Sequence, residues 1–404
     1  MTSMNRRTGF RSCALTACAL ILLSSLTALL TGCGSFFQCE GKASCPTTTC
    51  VPSSTVTCPT TPPATANYVY VSNSATGPTY LNGYTLASGT LASATNSPFS
   101  LGPNVVPTAL AITPANTYLY LATDSNLTAG LGYIYGYSIT TGGALSILAS
   151  GSPLISENDS SLAISADGQW LFTLGTDGLS LNEYQINSST GALTFAAGYG
   201  VTGTLNTVIT PAAVTAAPSG NYFAAALGQG GANTFSFVTS TGIGTPSTGI
   251  NPPNTSTGIY AIAIDSNNYL YCAGTAGLEV FSVTAAGVPT LLQTYPTGKG
   301  SHSIVINRTS TDVYVGNQTD GTITGYSIGT NAALTALVGS PYAAPTLVGA
   351  LAIDHTNAYL IALGYNATSG IQLYSIGSAG ALSPSSSAGS GVTTGVPLAI
   401  AATH

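Results

Sequence analysis

The sequence predicts an all-β protein, a seven-bladed β-propeller with four antiparallel strands per blade, over residues 67–404 of the 404-residue chain. Three observations lead there. A unit of short strands recurs seven times at intervals of 42–52 residues. Those strands are apolar on both faces, although the chain is 44% hydrophobic and only 4% charged, against about 25% charged in an ordinary domain. No stretch beyond the leader carries sustained helical spacing. A four-stranded sheet cannot cover both of its faces alone, so sheets of this kind must stack against neighbours of their own kind.

The chain opens with an address, residues 1–32. Arg6, Arg7 and Arg11 form a basic start, an apolar stretch runs from Cys13 to Leu30, and Leu30-Thr31-Gly32-Cys33 closes it. Basic, apolar, then small residues make a secretory signal. The Leu-Thr-Gly-Cys ending resembles a bacterial lipobox, which implies that Cys33 is the lipidated first residue of the mature protein. Gly34 stands where an Asp would mark inner-membrane retention, so the expected location is the cell envelope, at the outer membrane or cell surface. Without the signal, Lys42, Lys299 and Arg308 face all 12 acids, a net charge of −9. No basic face remains for a nucleic acid.

Residues 33–66 are rich in Thr and Pro and carry Cys39, Cys45, Cys50 and Cys58. Such a composition makes a semi-extended tether. Four cysteines in an exported chain read as two disulfides with three connectivities open, or as free or intermolecular thiols. A zinc site is disfavoured, because C-x-x-C pairs and nearby His are missing. Cys272, in the strand-like Tyr269–Cys272, reads as a small buried hydrophobe.

From residue 67 onward each element of the repeat follows in order. The first is an apolar segment ending in a turn, as in T-A-L-A-I-T-P-A-N (108–116), S-S-L-A-I-S-A-D-G (160–168) and H-S-I-V-I-N-R-T-S (302–310). The copies open at Thr108, Ser160, Ala212, Tyr260, His302, Gly349 and Val396, and their fifth positions run from Ile112 to Ile400. The second is an aromatic strand: Y-V-Y-V-S-N (68–73), Y-L-Y-L-A-T (118–123), W-L-F-T-L-G (170–175) and four more. The third is typified by I-T-G-Y-S-I (323–328), and a weaker fourth follows a Gly-rich turn, as in G-A-L-T-F (191–195). β-Branched and aromatic segments bounded by Gly, Pro, Asn and Asp are strands and turns. Because the chain enters on a second element and its last segment is a first element, strand 398–401 is expected to complete the blade begun at Tyr68.

The strands Tyr68–Asn73 and Val313–Asn317 resemble the Y-V-x-N repeat of surface propellers. The whole unit is similar to the seven-bladed lactonase family of 6-phosphogluconolactonase type. The resemblance implies that the first strand of each blade is innermost. It also implies that the loops before these strands gather at the channel mouth, where a lactone site is placed. Of the charged types such sites use, His302 alone opens a first strand; Lys299 lies three residues upstream in G-K-G-S-H-S, and Glu157 and Asp159 lie in another such loop. Arg308 follows its strand and is expected at the opposite end.

Two function classes follow. The first is a lipid-anchored binding or structural module, tethered to the membrane and taking a glycan, lactone or protein ligand, without cofactor or metal. The second is a lactonase hydrolysing a sugar lactone, with His302 as general base, Tyr260 as an oxyanion donor and Lys299 beside the substrate. One Lys on a strongly acidic domain is a poor phosphate site. Gly325–Gly329 matches the G-x-S-x-G nucleophile pattern, yet Tyr-Ser-Ile recurs at 137–139, 326–328 and 374–376 as a strand signature. His355, Asp167, Asp265 and Asp354 sit at turn positions. No D-x-D-x-D run offers a calcium loop.

Overall fold

Each repeat folds into one antiparallel sheet, and the described residues form seven such sheets. A computed structural model describes residues 67–404 apart from 75–78, 103–104, 126–130, 150–151, 157, 178–179, 202, 204–207, 252–256, 366–369 and 389–395. The signal, Cys33, the tether cysteines and Glu157 therefore lie outside the described residues. No α-helix occurs among those described, and no helix there is long and apolar enough to cross a membrane.

The innermost strands are Val105–Ile112, Asp159–Ile164, Ala213–Ala216, Ile259–Ile264, Ser301–Ile306, Val348–Ile353 and Val396–Ala402. Each packs beside the next, and the last packs against the first, so the ring is closed. We number the blades from 1 to 7 by their second strands, starting with Tyr68–Ser74. Blade 1 is completed by the C-terminal strand, which pairs antiparallel with Tyr68–Ser74. Two hydrogen bonds seal this closure: Tyr68 N–H donates to Thr403 Oγ1 (2.9 Å) and Thr403 N–H to the Tyr68 carbonyl (2.9 Å). The register differs from the sequence expectation by two residues. Ala402, not Ile400, pairs with Val69, which makes Leu398 rather than Val396 the counterpart of Thr108. The apolar pattern V-P-L-A-I-A-A allows both alignments, and pairing with the second strand selects one.

The core is divided into seven clusters, one in each gap between blades. Between blades 3 and 4, Phe172 stacks on Phe223 with centroids 4.4 Å apart, and Phe223 on Phe235 at 4.8 Å. Val69 and Val71 of blade 1 share a cluster with Ile361 and Leu363 of blade 7. Trp170 is buried in the gap after blade 3 and donates from Nε1 to the Thr239 carbonyl (2.8 Å). Apolar area on both faces of every blade is thereby removed from water, which is the main favourable contribution to folding.

Three blades split their outer strand: Thr90–Ser93 with Phe99–Gly102, Leu145–Ile147 with Leu154–Ser156, and Leu334–Ala336 with Tyr342–Ala343. A Ser-Pro pair lies in each break, at 97–98, 152–153 and 340–341. Proline has no N–H for the ladder. The serine hydroxyls instead accept the third-strand N–H of Gly83, Gly136 and Gly325 at 3.0, 2.9 and 2.9 Å.

Candidate functional site at the channel mouth

A β-bulge recurs at the same rung of six inner strands. The register slips between Pro107 and Ala109, Asp159 and Ser161, Ile259 and Ala261, Ser301 and Ser303, and Val348 and Ala350; in the C-terminal strand it slips across Leu398. The residue inserted each time is Thr108, Ser160, Tyr260, His302, Gly349 or Leu398. A bulged residue leaves the ladder and its side chain is re-aimed. All six line one cavity of about 310 Å³ at the end of the channel where the inner strands begin. Ala212 of blade 4, directly before its inner strand Ala213–Ala216, joins them there.

Tyr260 and His302, on adjacent blades, face each other with ring centroids 4.7 Å apart and planes tilted by 35°. Small residues make room for the tyrosine: a Cβ on Gly258 would come within 2.8 Å of the Tyr260 hydroxyl. The His302 ring is exposed to the channel, yet the surrounding walls remove enough water to lower its pKa below 6.5. The imidazole is therefore neutral at pH 7. Among the described residues no group hydrogen-bonds either of its ring nitrogens. A general base of the usual kind is oriented by a second group, and among the described residues His302 has none.

The adjoining wall, on blade 7 beside His302, carries Tyr365, whose ring lies over Gly349 so closely that a Cβ there would sit 2.1 Å from the ring edge. Burial raises the pKa of its phenol. Sequence reading missed Tyr365. The available signal was an aromatic residue directly after the second strand, where blades 3, 5 and 6 carry Thr176, Thr275 and Gln318.

Lys299 lies elsewhere. Its backbone N–H donates to Asp320 Oδ2 (2.8 Å), and it lines a separate cavity of about 350 Å³ formed by residues 275–277 and 296–300. The structure thus brings Tyr260 and His302 together and leaves Lys299 outside their cavity. Asp159 is buried beside the mouth, where its carboxylate accepts from the Ser156 hydroxyl and its carbonyl from Thr108 Oγ1. No Lys, Arg, Asp or Glu lines the mouth cavity among the described residues.

Similar folds are found among solved structures. A Bacteroides fragilis protein named only provisionally as a 6-phosphogluconolactonase matches with a TM-score of 0.67 and 15% identity, over 84% of this chain and 98% of that one. A Lactobacillus plantarum protein matches at 0.66 and 16%, over 84% and 100%. A periplasmic gluconolactonase of Pseudomonas aeruginosa matches at 0.64 and 13%, over 84% and 99%. No protein-family model and no curated protein sequence matches the chain. At these identities the likeness is one of fold: a seven-bladed propeller of the kind found in 6-phosphogluconolactonase-like proteins.

Proposed function

We propose that this protein is a lipid-anchored, exported propeller that acts as a binding module of the cell envelope and takes a neutral, hydroxyl-rich ligand such as a glycan at the channel mouth. The observation that carries this reading is the chemistry of the six bulged positions and their surroundings. They present the Tyr260–His302 ring pair, Tyr365 and the hydroxyls of Thr108 and Ser160, with no charged side chain lining the cavity among the described residues. Ring faces pack on the C–H faces of sugars, and hydroxyls exchange hydrogen bonds with sugar hydroxyls. A sugar phosphate brings about two negative charges and would meet no cation among the described residues of this mouth.

The second reading, a lactonase with His302 as general base, is favoured by the neutral imidazole and by the gluconolactonase among the similar folds. A single assay separates the two. The purified protein is offered gluconolactone, phosphorylated gluconolactone and a panel of neutral oligosaccharides. Saccharide binding that His302→Ala and Tyr260→Ala abolish, with lactone loss at the buffer rate, supports the binding module. Lactone turnover that His302→Ala removes and His355→Ala leaves intact supports the hydrolase and refutes our reading. The anchor rests on Leu30–Cys33 and the basic start.

A further inference from the structure

The opposite end of the channel holds a second cavity of about 390 Å³, and Leu110, Leu162, Leu351 and Ile400 line both, so the two are ends of one tube. Its walls are aliphatic, with Ile112, Ile164, Ala216, Ile306 and Ile353 around the circumference. Its polar groups are supplied chiefly by Arg308 and His404.

Arg308 lies in the turn after the inner strand of blade 6, and its backbone N–H donates to Asn357 Oδ1 of blade 7 (2.9 Å). Its Nη2 donates to the Thr403 carbonyl (2.7 Å), and its Nη1 lies 3.0 Å from His404 Nδ1. His404 Nε2 lies 3.1 Å from the Ile112 carbonyl. A carbonyl only accepts, so Nε2 carries the hydrogen, and Nδ1 accepts from the guanidinium. The backbone of His404 is fixed in turn by Asn116, whose Oδ1 accepts its N–H (2.7 Å) and whose Nδ2 donates to its carbonyl (2.8 Å).

The guanidinium is therefore oriented by two neutral acceptors, and no carboxylate pairs with it among the described residues. Asp354 contributes an attractive charge. Its own oxygens, however, already accept from Asn67 Nδ2, Thr356 N–H and Tyr359 N–H. Arginine has five N–H donors in a planar fork suited to a carboxylate. A permanent cation held at the rim of an apolar tube, with donors to spare, is half of a recognition site for an amphiphilic anion. The nearby Asp354 favours a singly charged anion over a dianion.

We propose that the turn end of the channel binds a small organic monocarboxylate, with the carboxylate on Arg308 and its apolar body in the aliphatic tube. The proposal does not rest on the ligand proposed for the mouth, although the two cavities share the tube wall. The test is calorimetric titration of the full chain with hexanoate, 1-hexanol and inorganic phosphate, beside Arg308→Gln and Arg308→Lys. Expected is hexanoate affinity at least about tenfold above hexanol, as a charge-assisted contact supplies. Arg308→Gln should lose that preference, Arg308→Lys should keep part of it, and phosphate should fail to compete. Equal affinity for hexanoate and hexanol, no hexanoate binding, an unaltered Arg308→Gln, or displacement by phosphate overturns the proposal. Should Arg308→Gln fail to fold, the hexanoate-to-hexanol ratio of the unsubstituted protein decides alone.

Discussion

Tyr120 of blade 2 reaches across the gap and donates its hydroxyl hydrogen to the Gly191 carbonyl of blade 3 at 2.7 Å, with the ring fully buried. The same link joins Tyr70 to Gly143 (3.0 Å) and Tyr314 to Gly380 (2.6 Å), each time to a turn glycine of the next blade. At Gly191 the backbone is left-handed (φ +70°), and a Cβ would lie 2.7 Å from the Tyr118 ring. Tyr120→Phe leaves a buried carbonyl without its donor, which costs about 1–3 kcal/mol. Chemical denaturation should show this loss at unchanged m-value, whereas Tyr133→Phe in blade 2, at a partly exposed ring, should leave stability nearly unaltered.

Glu183 is a buried carboxyl whose Oε2 accepts from the Tyr199 hydroxyl at 2.6 Å, while the Tyr199 oxygen accepts from Gly244 N–H. Loss of hydration outweighs that hydrogen bond and pushes its pKa up to about 7. A raised carboxyl pKa favours the folded state fully below the unfolded value, near 4.5, and that contribution is lost as pH rises through about 7. Glu183→Gln should therefore gain stability relative to the parent as pH rises from 4 to 9, by about 3 kcal/mol. Denaturant midpoints measured across that range check the sign, and a pH-independent difference contradicts it.

His404 has the opposite sign. Burial first, and the Arg308 charge second, lower its pKa below 6.5. Its neutral form favours the folded state above pH 6.5, and the benefit is lost as pH falls below that value. The difference in melting temperature between His404→Gln and the parent should shift in favour of the variant between pH 7.5 and 5. A constant difference would refute the Nδ1–Arg308 contact.

The ring closure and the proposed lipid anchor each have a direct check. Removing residues 396–404 deletes the strand paired with Tyr68–Ser74 and should replace one sharp unfolding transition with a broad transition at lower temperature. Cys33→Ala should abolish incorporation of labelled fatty acid and release the protein from membranes; retained label would refute Cys33 as the acceptor.

Much of the architecture was legible because the repeat is local. Strands two and three of every blade fall within two residues of their sequence-derived bounds; Tyr269–Gly274 coincides with its expected span. The mouth was legible by type, since His302 and Tyr260 occupy matching rungs. The bulges were not, because an inserted residue is defined by its partner strand: Ser301 and Ser303 pair with successive residues Asn317 and Gly316. The C-terminal register was hidden for the same reason. Tyr365 escaped because its place in the cavity depends on Gly349, a neighbour in space on the adjoining strand. Lys299 lies outside the cavity because proximity in sequence to His302 does not carry across the glycine turn at Gly300.

The central functional claim is that the Tyr260–His302 pair holds a neutral ligand. The chain has three histidines, so imidazole proton resonances report it site by site. On adding a saccharide identified in the binding panel, the His302 resonance should move by the ring current and desolvation of a bound sugar, while those of His355 and His404 stay in place. Saturable binding that leaves His302 unmoved, or lactone consumed while that resonance titrates as a working base, would contradict the account.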